Sequence, residues 1–285
     1  MDENNTYVIR DSETELARLQ LQGSLFDEVL PMFPHLFQPD QHSRASILDL
    51  GFGPGGWVLQ VAQAYPEYKI VGIDVNPRMV AYAQAQANVQ ELDVQFREMD
   101  LLHPFNFADG SFDLVNLRLG AGFLPVAKAP AVYQECWRVL KPGGVIRNIE
   151  HVHMSMPYAS SSPLALASFI FQALYTAGLT YNASEMCLSA GTARVFQDIG
   201  FHPIELVPHI LDISAGTVLH SSMFDDMRIG TMLLKPFVVD QMHMCSAEEF
   251  DHFFQDTERI WKDPRFCAHW YLCSVCGVKP EHGQA

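Results

Sequence analysis

Short apolar runs alternate with helical stretches from about residue 45 onwards, and this alternation predicts an α/β fold. The apolar character of the runs favours parallel strands that are covered by helices on both faces. Between them, one helix is expected from 56 to 64, ending before Pro66, and Asn76 with Pro77 begins another. The five predicted strands are SILDLGF (46–52), YKIVGIDV (68–75), VQFREMD (94–100), SFDLVNLRL (111–119) and VIRNIEHV (145–152).

Two regions beside this core carry helical patterns of their own. Apolar residues at helical spacing over 11–30 predict an amphipathic helix ahead of the sheet. The stretch LALASFIFQALYTAG (164–178) predicts an apolar helix directly after the fifth strand. Because open α/β sheets bind ligands beyond the carboxyl ends of their strands, we expect segments 7–30 and 154–190 to form a ligand pocket.

The C-terminal third predicts further strands and helices. PIELVPHILDI suggests a sixth strand, 216–265 suggests helices, and HWYLCSVCGV suggests a closing strand. We therefore divide the chain into an N-terminal helical cap (1–39), a ligand-binding core (40–153), a helical lid (154–190) and a C-terminal part of the core (191–285) with a helical insertion at about 216–265.

Composition narrows the class of protein. Of the 285 residues 48% are hydrophobic, and the net charge is −15 without any run of Lys or Arg, so nucleic acid is an unexpected partner. No apolar stretch approaches the roughly 20 residues that span a bilayer, so we expect no membrane association. Six cysteines are too few for a disulfide framework, and the acidic N-terminus lacks a signal pattern, which together predict a cytoplasmic protein. Cys273 and Cys276 lie three apart on a predicted strand and face opposite sides, so we predict no metal site.

The segment from Asp49 to Gly56 holds the most informative chemistry. Its glycines allow a sharp turn and a close ligand approach, and Gly51, Gly53 and Gly56 also satisfy the GxGxxG pattern of dinucleotide sites. The same pattern also fits a tight turn without a ligand. Asp49 suits a ligand with a cationic group better than a pyrophosphate, which it would repel.

Two more acids end predicted strands. Asp74 ends the second strand, where an acid accepts hydrogen bonds from a ribose diol. Asp100 ends the third strand and is followed by the apolar Leu101, which places a polar group beside a flat ligand face. The three carboxylates converge on one edge of the sheet and favour a ligand with a cationic group, a ribose diol and a flat face.

These motifs together resemble those of the class I S-adenosylmethionine (SAM)-dependent methyltransferases. The resemblance covers about residues 40–150, in the family's order: ILDLGFGPGG, IVGIDVNPRM, REMDLLHPF, GSFDLVNLR and RVLKPGG. It implies a Rossmann-like, seven-stranded, mostly parallel sheet with helices on both faces. The N-terminal segment is similar to that of natural-product methyltransferases, which reads Tyr, then Glu-x-x-Arg-Leu-x-x-Gln. In this chain these residues are Tyr7, Glu15, Arg18, Leu19 and Gln22.

The resemblance also implies a set of cofactor contacts for SAM. The loop 51–55 would pack on its methionine part, Asp74 would hold the ribose, Met79 would pack on the adenine ring, and Arg118 could pair with the methionine carboxylate. The expected cofactor-binding residues are Asp49, Gly51, Phe52, Gly53, Gly55, Asp74, Val75, Met79, Asp100, Leu101, Asn116, Leu117 and Arg118. The expected substrate-binding residues are Tyr7, Arg18, Gln22 and Phe169.

A general base is required only if the acceptor starts protonated. His151 and His153 are the candidates, because they lie two apart at the end of the fifth strand and should share one face. The predicted reaction is methyl transfer from SAM to a small molecule, in a chain that is compatible with a homo-oligomer. Two alternatives stay open at this point: an NAD-linked oxidoreductase, and a non-catalytic protein of the same fold with a regulatory role.

Overall fold

The computed structural model describes residues 7–156, 161–184 and 188–281, and it contains a seven-stranded sheet. The strands are β1 (Ser46–Leu50), β2 (Lys69–Asp74), β3 (Val94–Glu98), β4 (Phe112–Arg118), β5 (Leu140–Ser155), β6 (Ile204–Asp212) and β7 (His269–Val278). Their order is β3-β2-β1-β4-β5-β7-β6, and only β7 runs antiparallel to its neighbours. The predicted Rossmann-like, mostly parallel sheet is confirmed.

Helices cover both faces of this sheet. They are α1 (Glu13–Val29), α2 (Gly56–Ala64), α3 (Pro77–Val89), α4 (Ala129–Val139), α5 (Ser161–Thr176), α6 (Leu188–Ile199), α7 (His220–Lys235) and α8 (Ala247–Trp261), with a π-helix at Pro236–Gln241. Alternate residues of β1 show the two layers: Leu48 packs in a core with α4 and α6, and Ile47 packs in a second core with α2 and α3. The sheet is therefore an interior layer, as its apolar strands predict.

The remaining helices lie beside the carboxyl ends of the strands. α1 packs against α7, and α5 packs against α8 and the π-helix. These helices fall in the segments that we expect to be cap, lid and insertion, and that division stays a prediction. Residues 1–6 of the expected cap, and 157–160 and 185–187 of the expected lid, lie outside the described ranges. None of the helices described is long and apolar enough to span a bilayer.

Candidate active site

A cavity of about 560 Å³ opens at the carboxyl ends of β1, β2, β4 and β5. One part lies over the glycine-rich loop between β1 and α2, and the other extends beneath α1 and the ends of α5 and α7. Of the residues predicted to bind cofactor or substrate or to act in catalysis, the structure brings these to its wall: Tyr7, Arg18, Gln22, Asp49, Gly51, Phe52, Gly53, Asp74, Val75, Met79, Asp100, Leu101, Arg118 and His151.

The glycine loop forms one wall because its backbone adopts conformations that other residues avoid. Gly51 and Gly53 have φ angles of +62° and +57°. A Cβ on Gly51 would lie 2.8 Å from the Phe123 ring, whereas a Cβ on Gly53 would meet no protein atom within 4 Å. Gly53 therefore leaves open space on the cavity side. Gly55 does not line the cavity; a Cβ there would lie 2.8 Å from Cβ of Ala83, so it serves the packing of α2 on α3.

Asp74 holds the glycine loop against the start of α3. Its Oδ2 accepts a hydrogen bond from the Gly53 N–H at 3.0 Å, and its Oδ1 accepts one from the Asn76 N–H at 2.9 Å. Burial raises the pKa of Asp74, and these backbone donors oppose that rise. The carboxylate therefore organises two backbone segments while it also lines the cavity.

Asp49 begins a buried polar chain that runs behind the cavity. Asn116 lies beside it in the β1–β4 register and donates through Nδ2 to its Oδ1 at 2.6 Å. Arg147 donates to Asn116 Oδ1 at 2.7 Å and to the Pro31 carbonyl at 2.9 Å. Burial raises the pKa of Asp49 to about 6, which the positive charge of Arg118 partly offsets.

Asn116 and Leu117 were expected to contact the cofactor, and the structure does not place them on the cavity wall. Both are fully buried, because β4 is an interior strand with helices on both of its faces. Leu117 belongs to the core with α4 and α6. Asn116 instead orients Asp49, so its effect on the cavity is indirect.

The predicted adenine contacts also lie on the cavity wall. Met79, Val75, Asp100 and Leu101 line the cavity together. Asp100 accepts from the Leu102 N–H at 2.9 Å, and its other oxygen lies 2.9 Å from Nδ1 of His103. The carboxylate is thereby fixed at the loop after β3.

Arg118 reaches the cavity from the end of β4 and is already paired. Its Nη1 lies 2.9 Å from Oδ1 of Asp27, which belongs to α1. Sequence reasoning left this partner unseen, because the two residues are far apart along the chain. The ion pair ties the predicted cap to the sheet at the cavity mouth.

The N-terminal motif forms a connected network instead of isolated substrate contacts. The Tyr7 hydroxyl donates to Glu15 at 2.6 Å, and Arg18 donates to both oxygens of that same carboxylate, at 2.7 and 2.8 Å. Arg18 also donates to Asp226 of α7 at 2.8 Å, and Gln22 donates to the second oxygen of Asp226 at 3.2 Å. Tyr7, Arg18 and Gln22 thus line the cavity while they join α1 to α7.

Phe169 was expected to contact the substrate, and the structure does not place it on the cavity wall. Its ring packs against Phe253 of α8, with centroids 5.8 Å apart, and it does not line the cavity. Leu174 of the same helix does. Five residues turn an α-helix by roughly 140° beyond a full turn, so these two side chains face different directions.

His151 and His153 do not share a face, contrary to expectation. A bulge in β5 pairs His151 with Leu272 and His153 with Tyr271, and Val152 is the extra residue. His151 lines the cavity beside Trp270, and burial lowers its pKa to about 4. His153 is exposed and lies off the cavity wall. Within the described ranges, no three His, Cys, Asp or Glu side chains are grouped as metal ligands would be.

Glu150 is a cavity residue that sequence reasoning missed. It lies in the second half of β5, is 2% exposed, and accepts a hydrogen bond from the Gly120 N–H at 2.9 Å. Burial raises its pKa to about 7. An acid inside the apolar run VIRNIEHV was the available signal, since a carboxylate on an interior strand requires an explanation.

Residues 47–144 match a family model described as "Methyltransferase domain". This stretch of the chain is therefore similar to the methyltransferase domain. The match covers β1 to the start of β5, which is the part that builds the glycine loop and the three strand-end acids.

Several relatives carry methyltransferase names, and a solved structure shares the fold. A demethylmenaquinone methyltransferase of Deinococcus radiodurans is 35% identical over 103 residues, which cover 36% of this chain and 42% of that protein. Methyltransferase str2 of Strobilurus tenacellus is 31% identical over 143 residues, which cover 48% of this chain and 46% of that protein. The chain thus matches less than half the length of either relative. The YcgJ protein of Bacillus subtilis shares the fold, with a TM-score of 0.53, 21% identity, and coverage of 84% of this chain and 93% of that one.

The cofactor of this methyltransferase family is SAM, and the residues present fit it. Gly53 leaves open space at the loop, and the strand-end carboxylates of Asp49, Asp74 and Asp100 line the same cavity. Met79 adds an apolar contact on α3. A cationic ligand with a ribose and a flat base matches this combination of an open backbone, acids and apolar wall.

Proposed function

We propose that this chain transfers a methyl group from SAM to a small-molecule acceptor, an intermediate of natural-product synthesis. The observation that supports this most is the shape of the cavity. Its loop end carries Gly53, Asp49 and Asp74, and its other end continues into a chamber with apolar walls that include Leu119, Leu174 and Trp270. A cofactor and a second molecule can therefore lie side by side in one cavity.

Each part of the chain has a task in this reaction. When bound, SAM supplies an electrophilic methyl group. The loop 51–53, Asp74, Asp100 and Met79 would hold the cofactor, and the Asn116–Arg147 chain keeps Asp49 oriented beneath it. α1, fixed through Arg18 to α7, covers the chamber and excludes water, so that an acceptor is held in line for displacement.

The finer choice of acceptor rests on the charge and on the N-terminal motif. A net charge of −15 disfavours nucleic acid and favours a small acceptor. The N-terminal motif supports the natural-product assignment, since Tyr7 and Arg18 line the cavity and are joined through Glu15. We place the reaction in the cytoplasm and keep the homo-oligomer as a prediction.

The two alternatives receive less support from the site. For an NAD-linked oxidoreductase, the buried Asp49 would lie beneath a pyrophosphate and repel it. A non-catalytic protein that binds SAM would need only the cofactor end of the cavity, and the apolar end would be left without a ligand.

Calorimetry with SAM and with NAD tests the cofactor, and mass spectrometry of the purified protein detects co-purified SAM or its demethylated product. We expect SAM to bind and NAD to leave the heat signal unchanged. A labelled-methyl screen against an extract of the source then identifies the acceptor. NAD binding without SAM binding would refute the proposal, and SAM binding without any labelled product would favour the regulatory alternative.

A further inference from the structure

The middle of α1 carries a glycine that the protein itself does not require. Gly23 lies inside the helix and is not one of the glycines with a positive φ. Apart from its chain neighbours and the backbone of its own helix, no atom of the described residues lies within 4 Å of where its Cβ would be. Glycine destabilises the interior of a helix relative to alanine, because it loses more conformational freedom on folding. The glycine at this position therefore needs an explanation outside the fold.

Glycines inside other helices are explained by packing. A Cβ on Gly191 of α6 would overlap the ring of Tyr181, and a Cβ on Gly230 of α7 would lie 3.5 Å from Cδ of Arg18. In both helices a neighbouring side chain uses the space that the glycine leaves. The space beside Gly23 instead opens into the cavity, which Gly23 lines. This space is therefore available to a ligand.

The contacts on either side of Gly23 show which part of the cavity it faces. One turn earlier in α1, the side chain of Gln20 donates a hydrogen bond to the hydroxyl of Tyr82 on α3. One turn later, Oδ2 of Asp27 lies 3.7 Å from where Gly56, the first residue of α2, would carry a Cβ. Since α2 follows the glycine loop and α3 follows β2, both helices begin at the cofactor end of the cavity. Gly23 faces that end between them.

Contacts to buried side chains hold α1 at a fixed distance from the sheet. Directly after the helix, the carbonyl of Pro31 accepts a hydrogen bond from the buried Arg147 at 2.9 Å. The next carbonyl, that of Met32, accepts one from the indole N–H of the buried Trp57 at 3.0 Å. Another face of α1 is tied to α7 through Arg18. A side chain added at position 23 would therefore project into the cavity, because the helix cannot move aside without breaking these contacts.

The surface at Gly23 suits one part of SAM better than the others. The N–H and C=O groups of a helix interior bond within the helix, so the backbone at Gly23 offers a small surface without free donors. Leu19, one turn earlier on the same face, adds apolar surface to the cavity wall. Both ends of SAM carry hydrogen-bonding groups, whereas its middle, the sulfur with its methylene groups, carries none. We propose that Gly23 is a cofactor-binding residue and that the middle of SAM lies against the backbone of α1 at this glycine; the proposal rests on the proposed methyl transfer from SAM.

The variants Gly23→Ala and Gly23→Leu test this assignment by filling the space. In the free protein both should raise the midpoint of thermal unfolding by roughly 2 °C, since alanine and leucine favour a helix more than glycine does. Calorimetry with S-adenosylhomocysteine should show the opposite effect on binding. We expect affinity to fall about threefold for Gly23→Ala and tenfold or more for Gly23→Leu, because the added atoms overpack the site. A glycine that serves the packing of the protein itself would not give more stability together with less affinity.

Two comparisons assign the effect to the middle of the cofactor. Ala17→Leu adds a similar bulk to an exposed position of α1 outside the cavity and should bind S-adenosylhomocysteine as the wild type does. Adenosine lacks the sulfur and the amino-acid part of the cofactor, and ligand-detected NMR measures its weaker binding. Gly23→Leu should reduce the affinity for adenosine by a smaller factor than the affinity for S-adenosylhomocysteine.

Several outcomes would overturn the proposal. Wild-type affinity for S-adenosylhomocysteine in folded Gly23→Leu would show that the space does not face the cofactor. An equal loss for adenosine would place Gly23 at the adenosine end instead. A thermal midpoint of Gly23→Ala below that of the wild type would show that the protein's own packing needs the glycine. If Gly23→Leu does not fold, the affinity of Gly23→Ala still decides the question. Failure of the wild-type chain to bind SAM and S-adenosylhomocysteine would overturn the proposed function itself, and this proposal with it.

Discussion

Replacing Asp74 by alanine removes one carboxylate from the cofactor end of the cavity. The structure gives this carboxylate two backbone donors, Gly53 at 3.0 Å and Asn76 at 2.9 Å, so the free protein loses two hydrogen bonds. Burial has raised the pKa of Asp74, and its removal also relieves that cost. We therefore expect a modest loss of unfolding free energy, about 1–2 kcal/mol.

The loss of SAM affinity should be larger than the loss of stability. The ribose hydroxyls would lose a charged acceptor, and the loop at Gly53 would lose the group that fixes it. Hydrogen bonds to a charged group contribute about 1.5–3 kcal/mol, which corresponds to a roughly 10- to 150-fold weaker dissociation constant.

Calorimetry of SAM binding and urea unfolding measure these two quantities on one preparation. Glu98→Ala is the matched control, because Glu98 pairs with Asp74 in the β2–β3 register, is exposed, and lies outside the cavity. It should leave SAM affinity unchanged. Wild-type affinity in a folded Asp74→Ala variant would refute the assignment of this end of the cavity to the cofactor.

Three further predictions follow from the same geometry. Gly53→Val should abolish SAM binding in calorimetry, and Gly110→Val should leave it intact, although both glycines have φ near +60° and open space at Cβ. Equal SAM affinities of the two variants would show that the glycine loop is a turn without a role in binding. The folded pKa of Glu150, about 7, exceeds its unfolded value, so the stability that this carboxyl contributes is fully present below pH 4.5 and is lost as the pH rises through 7. Over this range, the unfolding free energy of Glu150→Gln measured in urea should rise relative to that of the wild type by up to about 3 kcal/mol, and a pH-independent difference would contradict this reasoning. Hydrogen exchange in α1 and α5 should be faster than in the sheet and should become slower when SAM is added. Strong protection of both helices without ligand would show that they are a permanent part of the core.

The core of this protein follows from local sequence. A glycine-rich turn after an apolar run, and acids at the ends of successive runs, place Gly53, Asp49 and Asp74 at one edge of the sheet, because parallel strands end together. The positions of the strands along the chain and the presence of the flanking helices were also predictable, since apolar periodicity and capping residues are local signals. The structure places these elements where the pattern indicates.

Orientation inside the elements required the tertiary structure. Strand period alone puts His151 and His153 on one face, and only pairing with β7 creates the bulge that separates them. Helical amphipathicity could not tell whether Phe169 faces the cavity or α8. Asn116 lies at a strand end as a cofactor residue would, yet its place between two strands directs it to Asp49.

The sequence also did not predict the ion-pair partners that lie far apart along the chain. Asp226 completes the Arg18 network from α7, and Asp27 neutralises Arg118 from α1. No local pattern marks these contacts, because they depend on how distant helices pack. The sequence determined which edge of the sheet carries the candidate site. Packing decided which polar side chains of that site are already hydrogen-bonded within the protein, since hydrogen-bond satisfaction is a property of the whole fold.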